Sequence, residues 1–123
     1  MNNTEDITAL RQERNLLFDF YGPMLTEKQT ACFTMRYVED CSLSEIAQEL
    51  SISPQGVVDF LNRAVVRLED CEAKLGLVRK FQEQQTLAIR IMSKLDQLEQ
   101  EMDLSDAATE KVRWIKAAVN ELM

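Results

Sequence analysis

Histidine is absent from this chain of 123 residues, and glycine and proline are scarce at three and two. The commonest metal ligand and general base is therefore missing. Cysteine is also thin. Cys32, Cys41 and Cys71 have no C-x-x-C spacing, so a zinc site would need carboxylates to complete it, and an odd number argues against a disulfide framework. So few breakers leave little room for hairpins and point to an all-α fold. No apolar run reaches about 18 residues, which excludes a membrane-spanning helix. The opening "MNNTEDITALRQERN" is polar and acidic-leaning, unlike a signal peptide. The cysteine usage leads us to expect a reducing cytoplasm. No glycine-rich phosphate loop stands in for the missing catalytic groups, and acidic pairs such as "ED" fall at helix ends, where they serve caps and dipoles. The chain reads as a non-enzyme without a cofactor.

Hydrophobic residues make up 46% of the sequence, enough for a core that needs no disulfide or metal. Net charge is −7, whereas nucleic-acid binders ordinarily carry a basic footprint. A first helix is expected over about 5 to 21, with Ile7, Leu10, Leu17, Phe20 and Tyr21 near one face and "YGPML" as its stop. Thr26 stands three before Gln29 and Ser42 three before Glu45, both with capping-box spacing. The first box opens a helix over about 27 to 38 bearing Cys32, Phe33, Met35, Tyr37 and Val38. The second opens a two-turn helix with an apolar stripe at Leu43, Ile46, Ala47 and Leu50. Ser53 as N-cap and Pro54 as first helical residue then start a helix to about Leu75. Its buried face is Val57, Leu61, Ala64, Val65 and Leu68. Gly76 suits the residue after the helix, with Leu77 as the apolar contact next to it.

From about residue 78 the pattern changes to heptads. Phe81, Gln84, Ala88, Ile91, Leu95, Leu98 and Met102 form one seam. "DLSD" breaks it, with Asp103 or Ser105 able to cap the last helix. Ala108, Val112, Ile115, Val119 and Leu122 form a second seam. The expected organisation is an N-terminal helix plus helix-turn-helix domain over 1–77 and an antiparallel helical hairpin over 78–123. The hairpin either dimerises or packs back within one chain, and dimerisation is the expectation. Its second apolar flank would consist of Leu77, Leu87, Met92 and Trp114, with Trp114 packing in the hairpin.

The stretch "LTEKQTACFTMRYVEDCSLSEIAQELSISPQGVVDFLNRAVVRLE" resembles the promoter-reading C-terminal domain of bacterial sigma factors, a helix-turn-helix without a wing. Leu25 and Gln29 match the opening of that domain. Tyr37, Ser42, Glu45, Ile46, Ala47, Leu50, Ile52 and Ser53 match the motif itself. The flanks "LLFDFYGPMLTEKQ" and "LEDCEAKLGLVRKF" resemble a narrower group, the small bacterial YlxM proteins, over about residues 14 to 82. That resemblance implies an accessory or regulatory role in signal recognition particle targeting, with the particle's GTPase or RNA as partner. The chain departs from the YlxM pattern at the start of its second motif helix. Pro54-Gln55-Gly56-Val57 stands where Arg-Gln-Ala-Val is usual, and Asn62 stands where lysine is frequent.

Gln55, Asn62 and Arg63 are the candidate base or backbone contacts, since Gln and Asn can read adenine and Arg can read guanine or phosphate. Arg63, Arg67 and Lys74, with Arg79 and Lys80, make the one basic cluster. It reads either as a phosphate track or as a solvated face pairing with Glu69, Asp70 and Glu72. Asp59 on the recognition face opposes phosphate. Residues 26 to 75 hold five basic and nine acidic side chains, a balance of −4. Two functions stand. One is the accessory protein of the targeting pathway. The other is a DNA-binding transcriptional regulator that docks the helix from Ser53 into the major groove as a dimer. The cysteines read as core residues.

Overall fold

The computed structural model describes the backbone of residues 3–123 and the side chains from residue 7 onward. The first two residues of the polar N-terminal stretch lie outside the described residues. The chain divides into two compact units, residues 1–78 and 79–123. Among the described residues the order is six α-helices with no strand. They are α1 (Asn3–Tyr21), α2 (Glu27–Phe33), α3 (Leu43–Leu50), α4 (Pro54–Leu75), α5 (Leu77–Glu101) and α6 (Asp106–Asn120). A short 3₁₀ turn, Gly22–Met24, links α1 to α2, and a π turn, Thr34–Val38, extends α2.

In the first unit α4 is the spine. Its first half sets Val57 and Leu61 against Cys32 of α2 and Ile46 and Ala47 of α3. Its second half sets Ala64, Val65, Leu68 and Cys71 against Leu17 and Tyr21 of α1, Phe33 of α2 and Val78. Phe33 is fully buried and stacks on Phe18 at 4.8 Å between ring centroids. Two short helices hang on this spine, and neither is long enough to be stable alone. Each is started by a complete capping box. Thr26 Oγ1 accepts from Gln29 N at 3.2 Å while Thr26 N donates to Gln29 Oε1 at 3.0 Å. Ser42 and Glu45 repeat the exchange at 3.1 and 3.2 Å.

Three details depart from the sequence expectations. Ile7 and Leu10 are exposed, Ile7 at 61%, because α4 and the π turn cover only the later turns of α1. The helix expected to run evenly to residue 38 widens instead into the π turn. Glu39 N donates to Thr34 O at 3.0 Å and Cys41 N to Met35 O at 2.8 Å. The bulge rotates Val38 out to solvent. Finally, Gly76 takes the left-handed φ of 63° that ends α4, but Leu77 after it is exposed. Val78 is the residue that packs into the core.

Burial alone does not hold that junction. Tyr21, 2% exposed, donates its hydroxyl to Glu72 Oε1 at 2.6 Å and accepts Leu77 N–H at 3.0 Å. Val78 N donates to the same Glu72 oxygen at 3.0 Å. The first orphan N–H groups of α5 thus find partners from α1 and α4. Glu72 is engaged here rather than on a solvated charged face.

The second unit is a two-helix hairpin. Ser105, not Asp103, caps α6, accepting from Ala108 N at 3.2 Å. Gln85 Nε2 donates to Leu122 O at 2.9 Å. Lys116 Nζ pairs with Asp96 at 2.6 Å and also with Glu99. Early α5 thus meets the residues just after α6 and late α5 meets mid α6, so the helices run antiparallel. Ala88, Val112 and Val119 are the buried seam. Met92 is half-buried and Trp114 is 72% exposed. The flank expected from Leu77, Leu87, Met92 and Trp114 is therefore not one row, and Trp114 lies on the outside.

Candidate interface on the helix-turn-helix unit

The turn between α3 and α4 is three residues long. Ser51 adopts a left-handed φ of 55° and Ile52 N donates back to Ala47 O at 3.0 Å. Ser53 then caps α4, its Oγ accepting from Gly56 N at 2.9 Å. Pro54 fills the first helical position, where its missing N–H leaves nothing unsatisfied. Behind the motif, α1 fixes the π turn and the loop after it. Asn15 Nδ2 donates to the Tyr37 carbonyl at 3.3 Å, Arg14 donates to the Tyr37 hydroxyl, and Arg11 pairs with Asp40. Asp40, held at a φ of 60°, turns the chain into α3.

The candidate contact residues all lie on α4, but they do not form one group. Gln55, in the exposed first turn, donates its amide to Asp59 Oδ1 at 3.1 Å. The residue proposed to read a base is thus tied to the carboxylate that opposes phosphate. Asn62, Arg63 and Arg67 are brought together along a groove of about 680 Å³ that also takes in Met24, Thr26, Gln29, Val66 and Asp70. Val66, 64% exposed, is its apolar floor beside Met24. Among the described residues Arg63 and Arg67 have no carboxylate partner. Lys74 is set apart, committed to Asp70 at 3.0 Å. Arg79 pairs with Glu83 at 3.2 Å in the second unit. Of the five cations, Arg63 and Arg67 lie on the groove, Lys74 and Arg79 are in local pairs, and Lys80 belongs to neither set.

A second, smaller cleft of about 180 Å³ lies at the start of α4, between Glu27, Lys28, Ala31, Cys32, Leu50, Ile52 and Phe60. Phe60 packs partly against the core and lines this cleft. Cys32 is fully buried and burial pushes its thiol up; Cys41 is half-buried and is raised by burial and then by Glu45 and its other acidic neighbours. Among the described residues no three metal-ligating side chains converge. Nothing in the sequence marks Met24, Thr26 and Gln29 as groove residues. The capping box is visible there, but not that its helix start faces the middle of α4.

A short capped helix, a tight turn and a longer capped helix packed across α2 define a helix-turn-helix protein, here followed by a helical hairpin. Within that class the chain belongs to the family described as "Putative helix-turn-helix protein, YlxM / p13 like" (UPF0122), which it matches over residues 9–108. It is 48% identical over 89 residues to a UPF0122 protein of Thermoanaerobacter pseudethanolicus, covering 72% of this chain and 70% of that one. It is 40% identical over 108 residues to UPF0122 proteins of Bacillus cereus and Bacillus anthracis, covering 88% of this chain and 92% of theirs.

Proposed function

We propose that this UPF0122 protein is a non-catalytic, cytoplasmic accessory factor of signal recognition particle targeting. Its helix-turn-helix unit binds the particle's GTPase or its RNA and regulates the pathway. The pathway rests on the resemblance to YlxM proteins. The choice against promoter DNA rests on one observation: at the exposed start of α4, Gln55 is bonded to Asp59 and no cation appears before Arg63. A major-groove reader presents the first turns of this helix to base edges. Here those turns would bring a carboxylate toward phosphate without a compensating charge. The two free arginines lie further along, on a groove that also holds Met24 and Val66. Such a mixed surface suits a folded partner more than a duplex backbone.

The tagged full-length protein is used to recover bound protein and RNA from its native cell. Co-recovery of the targeting GTPase or its RNA, lost in Arg63→Ala/Arg67→Ala, is the expected result. Clean recovery of promoter DNA with no targeting component overturns the proposal. The exposed Ser53-capped start of α4, with Asn62 and Arg63 on the same helix, favours a second reading as a dimeric DNA-binding regulator. In that case Arg63→Ala weakens a specific site by about 1–3 kcal/mol if the side chain reads a base, and affinity falls steeply with salt. Absence of any shifted genomic fragment at low salt removes this second reading.

A further inference from the structure

Two helices cannot enclose a core, and the hairpin leaves one apolar face uncovered. At 100° per residue, the heptad seams of α5 and α6 drift to the same side of the buried line through Ala88 and Val112. Ile91 and Leu98 from α5 fall on that side, as does Ile115 from α6, with Leu122 just beyond the end of α6 and Leu87 at the edge. Leu87 is 54% and Leu122 61% exposed, with Leu98 and Ile115 also exposed. The opposite side carries Gln85, Asp96 and Lys116 in polar contacts.

Charge indicates what covers this face. The first unit, residues 1–78, holds seven basic and thirteen acidic residues, a balance of −6, whereas the hairpin, 79–123, holds seven and eight, a balance of −1. Within the hairpin the charges are separated along its length. Residues 96–110, around the turn, have six acidic side chains and no basic one. The open end, 79–95 with 111–123, has seven basic and two acidic. A balance of −6 thus faces one of +5 along a single hairpin.

We propose that the apolar face seats a second copy of the hairpin, turned end for end, to form a four-helix bundle. A two-fold axis crossing α5 near Ile91 lays the acidic turn of each copy on the basic open end of the other. Lys80 then lies opposite Glu101 of the second copy. Stacking the hairpins turn on turn would superpose six carboxylates on six, and like-charge juxtaposition is costly. Homotypic association through this face is isologous, so it closes at two copies. The inference is independent of what the helix-turn-helix unit binds.

Light scattering of the full chain after size exclusion at micromolar concentration tests it, with an expected mass of twice 14.2 kDa. Glu101→Lys/Asp103→Lys, which leaves the Lys116 pairs intact, weakens the dimer by about tenfold or more. Adding Arg79→Glu/Lys80→Glu in the same chain restores it, because both ends are then inverted together. Ile115→Asp, on the face itself, yields a monomer whose far-ultraviolet circular dichroism remains helical. A monomeric mass for the unaltered chain overturns the proposal and returns the hairpin to packing within one molecule. A dimer indifferent to Ile115→Asp overturns the face. Failure of the fourfold charge variant to recover overturns the end-for-end arrangement.

Discussion

At the scale of single residues, one side chain that the sequence presents only as an apolar face residue does more than fill the core. Tyr21 is buried, yet it donates to Glu72 and accepts from Leu77. Replacing it with phenylalanine keeps the ring but removes the donor to Glu72 and the acceptor of the partly buried Leu77 N–H. Tyr21→Phe is therefore expected to lower unfolding free energy by about 1–3 kcal/mol, measured by urea denaturation. Unchanged stability would mean that water serves the junction equally well. The phenol has a second signature. Burial, and then the bond to Glu72, raise its pKa above the ordinary 10.0. The folded state thus holds this proton more tightly than the unfolded chain does. The stabilisation is whole below about pH 10 and is lost as pH rises through the folded pKa. The alkaline loss should be shallower in Tyr21→Phe. None of this is legible in sequence, because Glu72 and Leu77 lie 51 and 56 positions away. Arg14 and Asn15 hide the same way: polar on the sequence, they clamp Tyr37 across 23 and 22 positions.

At the scale of elements, local chemistry carries most of the information. Both capping boxes, the Ser53-Pro54 start and the Gly76 stop are decided by side chains within four residues of the backbone groups they serve. The residues alone therefore place α3 and α4 nearly to their ends. The π turn after α2 escapes, because its widened ring is stabilised by α1 rather than by any local signal. The caps make a prediction at this scale. Ser42→Ala should cost about 1 kcal/mol, read as a lowered thermal midpoint. Hydrogen bonding by Ser42, first through its backbone, holds the Glu45 carboxyl below its usual range. A depressed folded pKa contributes stability that is present above the unfolded pKa and lost as pH falls through the folded one. Glu45→Gln should flatten that acid limb and leave the neutral and alkaline limbs unchanged. An unaltered acid limb would sink the assignment.

At the scale of the whole molecule, the boundary between units becomes a matter of which core Val78 joins. It joins the first, with Leu68 and Cys71. A fragment of residues 1–79 should fold cooperatively by circular dichroism and thermal melting. A fragment of residues 1–75 loses Val78 and the Leu77 N–H, and should melt at markedly lower temperature or not fold at all. Equal melting of the two would show that Tyr21 and Glu72 need no α5. The sequence by itself determined the all-α class, the helix starts and stops, the two heptad seams and the family resemblance, because caps and apolar periodicity act over one or two turns. Only the tertiary structure decided that Arg63 and Arg67 share a groove with Met24, and that Trp114 faces out. It also decided that both hairpin seams lean to one side. Each of these depends on which helix lies across which, and long-range packing fixes that through contacts no local pattern records.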